Sequence, residues 1–394
     1  MLKILVFIPS GSVYGLQAVT LDLMQSLPQH EIHSHFLITR WTDGELPQRL
    51  HQLKIPYTYS WLGMFSRKFD WKNLKMTIQS LLRIPRLYSD VVSLIKSYQP
   101  NIIYTANYHE LILLGPLLKV LGLPVMNHMH DPPPPIPFQR GMFRLWDRLV
   151  SKYVVVSKDV QRRLEKLGAN PDKILLLYNG INLSLFQYGA QRSNHFVKQH
   201  GWPSQSIVLG MTGQMIEEKG HFDLIEAIKL LHKAYPNIRL VIGGKQGGPY
   251  YQKLASEIEN KNLSDIVVFS GWQEDVRSFF SGIDIFVLPS RHEEGFGLVV
   301  AQAMAMGLPI IATRSGGVSE VVKDGVTGFL LEKGSFSELA NAINLLLESQ
   351  PMRQSMGTAG RKRIEEQFDL SKQSARFEII LKTLANRVNP LIHV

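Results

Sequence analysis

Short β-branched runs alternate with amphipathic stretches from one end of the chain to the other, and no single motif constrains the fold as much as this rhythm. A strand that rejoins its sheet in parallel needs a crossover, usually a helix, so an unbroken β-α alternation argues against sandwiches, bundles and antiparallel meanders. Strands are expected at 3–8, 34–38, 102–104, 124–128, 153–156 and 174–177, then at 207–211, 239–242, 266–269, 283–288 and 309–312. Runs such as Ile4 to Ile8 and Ile207 to Met211 are apolar on both faces, as strands covered by helices on both sides must be. The rhythm breaks once, between Tyr178 and Ser206, where Asn179-Gly180 is a turn signal and Gln187 to Ser193 is polar, which puts a linker near 180–200. The expected fold class is therefore α/β, with two doubly wound, Rossmann-like domains at 1–185 and 195–369. A chain of 394 residues is long for one core and ample for two.

Composition narrows the function. Cysteine is absent, which removes disulfides, thiolate metal sites and thiol nucleophiles together and fits a reducing compartment. The N-terminal apolar run spans only Ile4 to Ile8, shorter than the core of a secretory signal. Glycines and prolines interrupt the apolar stretches at 111–126 and 296–313, so no transmembrane helix is expected and a cytoplasmic location is. The net charge of +10 points to an anionic partner. Residues 1–187 hold 21 basic and 12 acidic side chains, a net of +9, so nearly all the excess lies in the first half.

Several loops are built to meet such a partner. Ile8 to Gly15 leaves the first strand and opens a helix, where free backbone amides and the helix dipole can face an anion, although a plain strand-to-helix turn reads as well. Gly213 to Gly220 follows a strand, precedes a helix that begins near His221 and offers Lys219 as a point charge for a phosphate. The pair Gly243-Gly244 ends another strand, where an open parallel sheet receives its ligands. The most informative stretch runs from Asp284 to Pro309. A strand ends at Pro289, an acidic loop carries Glu294, Gly295 and Gly297, and a helix starts near Leu298. Amides at Gly297, Leu298 and Val299 would suit a diphosphate, and Glu294 would accept hydrogen bonds from sugar hydroxyls. His128 and His130, two residues apart, admit a metal, but no third ligand lies near them in sequence, and no metal is expected.

In this order the motifs resemble the retaining glycosyltransferases of family 4, whose architecture, called GT-B, sets two Rossmann-like domains across a central cleft. The second half carries Gly213-Gln214-Met215 before Lys219-Gly220, then Gly243-Gly244, Glu294-Gly295-Phe296-Gly297, Gly307-Leu308-Pro309 and Gly316-Gly317-Val318-Ser319-Glu320. The first half is looser, with Tyr14-Gly15, His130-Asp131, Val156-Ser157 and Tyr178-Asn179-Gly180-Ile181. The resemblance implies a nucleotide-sugar donor, UDP-linked as a first guess, bound by the second domain, and an acceptor bound by the first. It places Lys219 and Gly15 at the diphosphate, Glu294 at the sugar hydroxyls and His130 near the donor sugar. The amides of Gly295, Phe296 and Gly297 fall near the sugar and those of Leu298 and Val299 at the phosphates, with Gly244 lining the site and Trp272 bordering the base. It also implies a C-terminal helix, about 370–394, that returns to the first domain, and retention of configuration, while the lack of an Asp-x-Asp pair in a suitable loop leads to the expectation of metal-independent transfer.

Two positions depart from the family. Gln214 stands where it has Arg, and Gln302 where it has the second Glu of its E-x7-E pair, the one that accepts ribose hydroxyls. A charge-assisted hydrogen bond is worth roughly 1.5–3 kcal/mol and a neutral one about 0.5–1.5, so each swap weakens donor binding by about 1 kcal/mol without abolishing it. The departures leave room for a non-catalytic partner subunit, and the architecture also admits a sugar-nucleotide epimerase. Residues 61–100 carry seven basic and two acidic side chains interleaved with Trp61, Leu62, Met64, Phe65, Phe69, Trp71, Leu74, Met76, Leu81 and Leu82. The pattern suits an anionic membrane surface, or an ordinary helical pair over the sheet. No motif for nucleic acid accompanies it. The expected acceptor is a polysaccharide or lipid-linked oligosaccharide, and Pro132–Pro135 with Pro137 would stiffen the loop beside it.

Overall fold

The structure is a computed structural model, and it describes residues 1–41, 44–63, 71–106, 108–131, 139–187 and 193–386. The prolines 132–135 and 137, residues 64–70 of the basic stretch and residues 188–192 of the expected linker lie outside the described residues. The described residues divide into two compact units, 1–180 with the C-terminal helix, and 181–369.

In the first unit seven strands form one sheet: β1 (Leu2–Ile8), β2 (Ile32–Thr39), β3 (Tyr57–Ser60), β4 (Ile102–Thr105), β5 (Val125–Met129), β6 (Lys152–Val155) and β7 (Ile174–Leu176). Their order is β3-β2-β1-β4-β5-β6-β7, parallel throughout. In the second unit the order is β10-β9-β8-β11-β12-β13, from β8 (Ile207–Thr212), β9 (Ile238–Gly243), β10 (Val267–Gly271), β11 (Ile285–Leu288), β12 (Ile310–Thr313) and β13 (Gly328–Leu331). This sheet too is parallel. Central strands are buried on both faces, Ile4 to Ile8 and Ile285 to Val287 at 0% exposure.

Two edge strands, β3 and β13, do not announce themselves in the sequence. Tyr57-Thr58-Tyr59-Ser60 is short and largely polar, because an edge strand covers little core, and Gly328-Phe329 reads as the end of a turn. The boundary between the units also falls earlier than expected, at Gly180/Ile181 and not at 185. Ile181 N donates to Phe368 O at 2.7 Å and the Arg361 guanidinium holds the Phe186 carbonyl, which ties 181–186 to the second unit.

The C-terminal helix, Leu370–Asn386, belongs to the first unit. It buries Phe377, Leu381 and Leu384 in that core, each contributing roughly 1.5–3 kcal/mol. Ser26 Oγ donates to Ser374 Oγ at 2.7 Å and Lys382 pairs with Glu31 at 2.7 Å.

Candidate active site

In the second sheet the chain order reverses between β8 and β11, and the loops leaving the carboxyl ends of these two neighbours form the site. The loop after β8 closes with a 3₁₀ turn at Glu217–Lys219 and then Gly220, whose φ of +74° a side-chain-bearing residue rarely adopts. A Cβ at Gly220 would also run into the Pro289 carbonyl. Gly220 therefore lets the first loop lie directly on the end of β11, which brings Lys219 to Glu294. The helix His221–Leu231 follows, starting where the sequence places it.

The second loop is held from three sides. Thr313 Oγ1 donates to the Ser290 carbonyl at 2.6 Å, and Gly317 N donates to the Glu294 carbonyl at 2.8 Å. Arg291 N donates to the Glu218 carbonyl at 2.7 Å, while its guanidinium grips buried Asp223 through Nε at 2.7 Å and Nη2 at 2.5 Å. His292 Nδ1 lies 3.1 Å from the same Glu218 carbonyl. A bidentate clamp of this kind fixes direction as well as distance.

At the centre, Lys219 Nζ donates to Glu294 Oε1 at 2.6 Å and Ser290 Oγ donates to the same oxygen at 2.5 Å. Both charged side chains are largely buried, 16% and 13% exposed, and His292 Nε2 stands 3.9 Å from Oε1. Burial pushes the Glu294 carboxyl up, but the Lys219 charge, the hydrogen bonds from Lys219 and Ser290 and the charge of His292 outweigh it, so Glu294 is held below the usual carboxylate range.

The helix Leu298–Ala305 begins on Gly297, whose φ is +84° and whose Cβ would lie 2.6 Å from Val318 Cγ2. Val300 N and Ala301 N bond to the Gly297 carbonyl, whereas the amides of Leu298 and Val299 stand at the end of the helix, where no intrahelical acceptor exists. Gln302 lies one turn on, three and four residues past Val299 and Leu298, and so on their face. The Phe296 ring is 3% exposed and packs edge-on to Phe368 at 5.5 Å, so only its backbone can face a ligand. Gly244 N donates to the Gly271 carbonyl at 2.8 Å, and a Cβ at Gly244 would meet the Gly213 carbonyl, so glycines let the ends of β8, β9 and β10 lie against one another. Trp272 follows at the sheet edge, 43% exposed, and Gln214 is exposed in the first loop.

Ser290, Arg291, His292 and Asp223 are the residues that sequence reasoning passed over. The available signal was Asp223, an acid in the buried stripe of a helix among Phe222, Leu224 and Ile225, which calls for a cationic partner.

In the first unit, Gly15 is exposed and opens the helix Gly15–Ser26, with Tyr14 N donating to Gln17 Oε1 at 3.0 Å. His130 follows β5 with its Nε2 buried, and burial pushes its pKa down to about 4, so it is neutral at pH 7. Among the described residues no three His, Asp or Glu side chains converge as a metal site, and no helix is long and apolar enough to cross a membrane. Of the interleaved stretch, Leu62 is buried and Trp61 is covered by the Arg83 guanidinium, 3.4 Å from its ring centre, so neither serves as a surface group.

Two parallel doubly wound units with a Gly-rich, acidic loop before a helix define the GT-B class. The profile described as Glycosyl transferases group 1 matches residues 193–363, and that of Glycosyltransferase Family 4 matches residues 13–185. The chain belongs to this family of glycosyltransferases. It is 32% identical over 199 residues to the capsular polysaccharide biosynthesis glycosyltransferase CapM of Staphylococcus aureus, 48% of this chain and 49% of that one. It is 25% identical to the GDP-mannose-dependent alpha-(1-6)-phosphatidylinositol monomannoside mannosyltransferase of Mycolicibacterium smegmatis, over 86% of this chain and 92% of that one. The first relatives are thus matched over about half of their length, the mannosyltransferase over nearly all of it. The fold is shared with HepE of Anabaena, crystallised with UDP and glucose, at a TM-score of 0.82 and 23% identity, covering 97% of this chain and 100% of that one.

Proposed function

We propose that this chain is a retaining hexosyltransferase that moves a sugar from a UDP-linked donor to a polysaccharide or lipid-linked oligosaccharide acceptor. The observation that carries the reading is the Lys219–Glu294 pair in the loop that opens the helix Leu298–Ala305. As the donor's glycosidic bond breaks, positive charge grows at the anomeric carbon and negative charge on the departing diphosphate. Lys219 and the amides of Leu298 and Val299 meet the diphosphate, so the lysine and the helix end supply the charge and transfer proceeds without a metal. Glu294 and the amides of Gly295, Phe296 and Gly297 hold sugar hydroxyls. The acceptor oxygen bonds to the anomeric carbon on the face the phosphate leaves, and the leaving phosphate takes the acceptor's proton. Because Lys219 is paired with Glu294, donor binding is an exchange of partners: the diphosphate takes the lysine and the sugar hydroxyls take the released carboxylate oxygen.

HepE, solved with UDP-glucose, makes that donor the first to try, and the GDP-mannose-dependent relative makes GDP-mannose the second. The acceptor is met at an anionic membrane surface through the helix Trp71–Leu82. Its Trp71, Leu74, Ile78, Leu81 and Leu82 are exposed, Trp71 at 82% and Leu82 at 75%, and fall on one stripe about 100° wide, with Lys75 exposed beside it. The test is a hydrolysis and transfer assay over a panel of nucleotide sugars, with Glu294→Ala as control. Turnover of one donor that the variant loses supports the reading. A silent panel overturns it in favour of a non-catalytic subunit, and an unimpaired variant overturns the role given to Glu294.

A further inference from the structure

Behind His130 the first unit buries a polar file that the reading above leaves unused. His128, on β5 and 1% exposed, has its Nδ1 2.7 Å from the hydroxyl of Tyr104 on the neighbouring β4, itself 0% exposed. The Tyr104 hydroxyl lies 3.5 Å from Thr20 Oγ1, whose own proton goes to the Leu16 carbonyl at 2.9 Å. Phe377 of the C-terminal helix stacks on the His128 ring at 6.4 Å and 24°, and meets Tyr104 edge-on at 6.3 Å. On its other side the His128 ring centre is 4.4 Å from that of His130. Residues two apart along extended backbone point to one side, which brings the two imidazoles together, their planes tilted by 43°.

Packing alone does not explain this file. A phenylalanine would fill the site of either buried ring without placing polar atoms in the core, and among the described residues the Nε2 atoms of His128 and His130 are buried without a hydrogen-bond partner. Such a cost is kept where the polar atoms do something. We infer that Tyr104 and His128 are positioning residues for His130: the Tyr104 hydroxyl fixes the ring and tautomer of His128, and the His128 ring sets the angle of the His130 imidazole. With the Thr20 proton spent on Leu16, the single Tyr104 proton goes to the shorter contact, His128 Nδ1, which places the His128 proton on Nε2. Burial keeps both imidazoles neutral, so the close pair carries no like-charge repulsion. The C-terminal helix takes part through Phe377, which closes the far face of His128.

The inference rests on the reading of His130 as a group near the donor sugar, and the test separates the two. Side-chain histidine resonances of the full chain, labelled with nitrogen-15, report tautomer and environment whether or not the chain turns over a donor. Tyr104→Phe keeps the ring and removes the hydroxyl, and His128→Phe keeps a ring and removes both nitrogens. Each is expected to shift the His130 resonances and to lower kcat about tenfold with the donor KM unchanged, and the double variant is expected to be no slower than either single one. His128→Asn, which keeps a polar atom near the Nδ1 position, recovers part of the loss. Unfolding midpoints within a few degrees of the parent confirm that the variants fold. Unmoved His130 resonances overturn the inference, even if kcat falls, and so do additive losses in the double variant. A parent chain that turns over no donor overturns the functional reading instead, and the resonances alone then decide the positioning role.

Discussion

The two units share a doubly wound parallel topology, yet they hold their polar groups by opposite means. In the second unit the site is charged and fully engaged: Glu294 takes Lys219 and Ser290, and Arg291 takes Asp223. In the first unit the corresponding groups are buried and neutral, with Tyr104 on His128 at 2.7 Å behind His130. Net charge is distributed the other way, with the excess on the first unit's sequence. One unit therefore uses its charges internally, to fix the loops of the proposed donor site. The other keeps the two histidines of its buried file neutral and carries the basic excess of its sequence. A doubly wound sheet dictates where a site lies, at the carboxyl ends beside the order reversal, but not the chemistry that occupies it.

The comparison can be broken most sharply at Glu294. Glu294→Gln keeps the shape and removes the charge, and is expected to lower kcat by about a hundredfold or more, the size of effect that follows loss of one group aligned with developing charge. The same variant frees Lys219 and should tighten UDP. Steady-state rates and titration on one preparation check both, and parallel losses would mean that no exchange of partners takes place. Next in size is Gly220→Ala, which combines a φ of +74° with a collision at the Pro289 carbonyl. It should destabilise the second unit by roughly 2–4 kcal/mol in urea unfolding.

Acid sharpens the contrast from the other side. His128 and His130 have folded pKa values below the unfolded value near 6.5, His130 at about 4, so the folded state binds fewer protons between those limits. Stability is then full above about pH 6.5 and falls as pH drops toward 4. Among the described residues the second unit has His221, also pushed to about 4, and His195 shifted the same way by burial, while His35 joins the pair in the first. Pulse proteolysis read by mass spectrometry at pH 7 and pH 4.5 should find the first unit cleaved preferentially after acidification, and preferential cleavage of the second would contradict this. The smallest effect is Gln302→Glu, expected to tighten UDP about fivefold by restoring a charged acceptor. Unchanged affinity would show that Gln302 does not face the ribose.

How much of this was legible in the sequence follows from the same contrast. Eleven strands and the starts of the helices at His221 and Leu298 are visible because buried parallel strands read as apolar runs and helix starts follow glycine turns. The edge strands β3 and β13 are not, since they bury too little to leave a pattern. Glu294 and Lys219 are readable because each sits in a contiguous loop whose glycines are demanded by geometry. Their supports are only half so: Ser290 and Arg291 lie in the motif, but the meeting of Arg291 with Asp223 is a contact across 68 residues. The file behind His130 is the extreme case, since Tyr104 meets His128 from 24 residues away and Phe377 arrives from the end of the chain. Nothing local encodes such a contact, and only the folded sheet assembles it.

The central claim, that the loops after β8 and β11 form a diphosphate-sugar site in which Lys219 and Glu294 exchange partners, is tested most directly by calorimetric titration of UDP. The account predicts binding by the parent chain, weakening by roughly tenfold in Lys219→Met and tightening in Glu294→Gln. No heat at millimolar UDP, or equal affinities in all three, would contradict it.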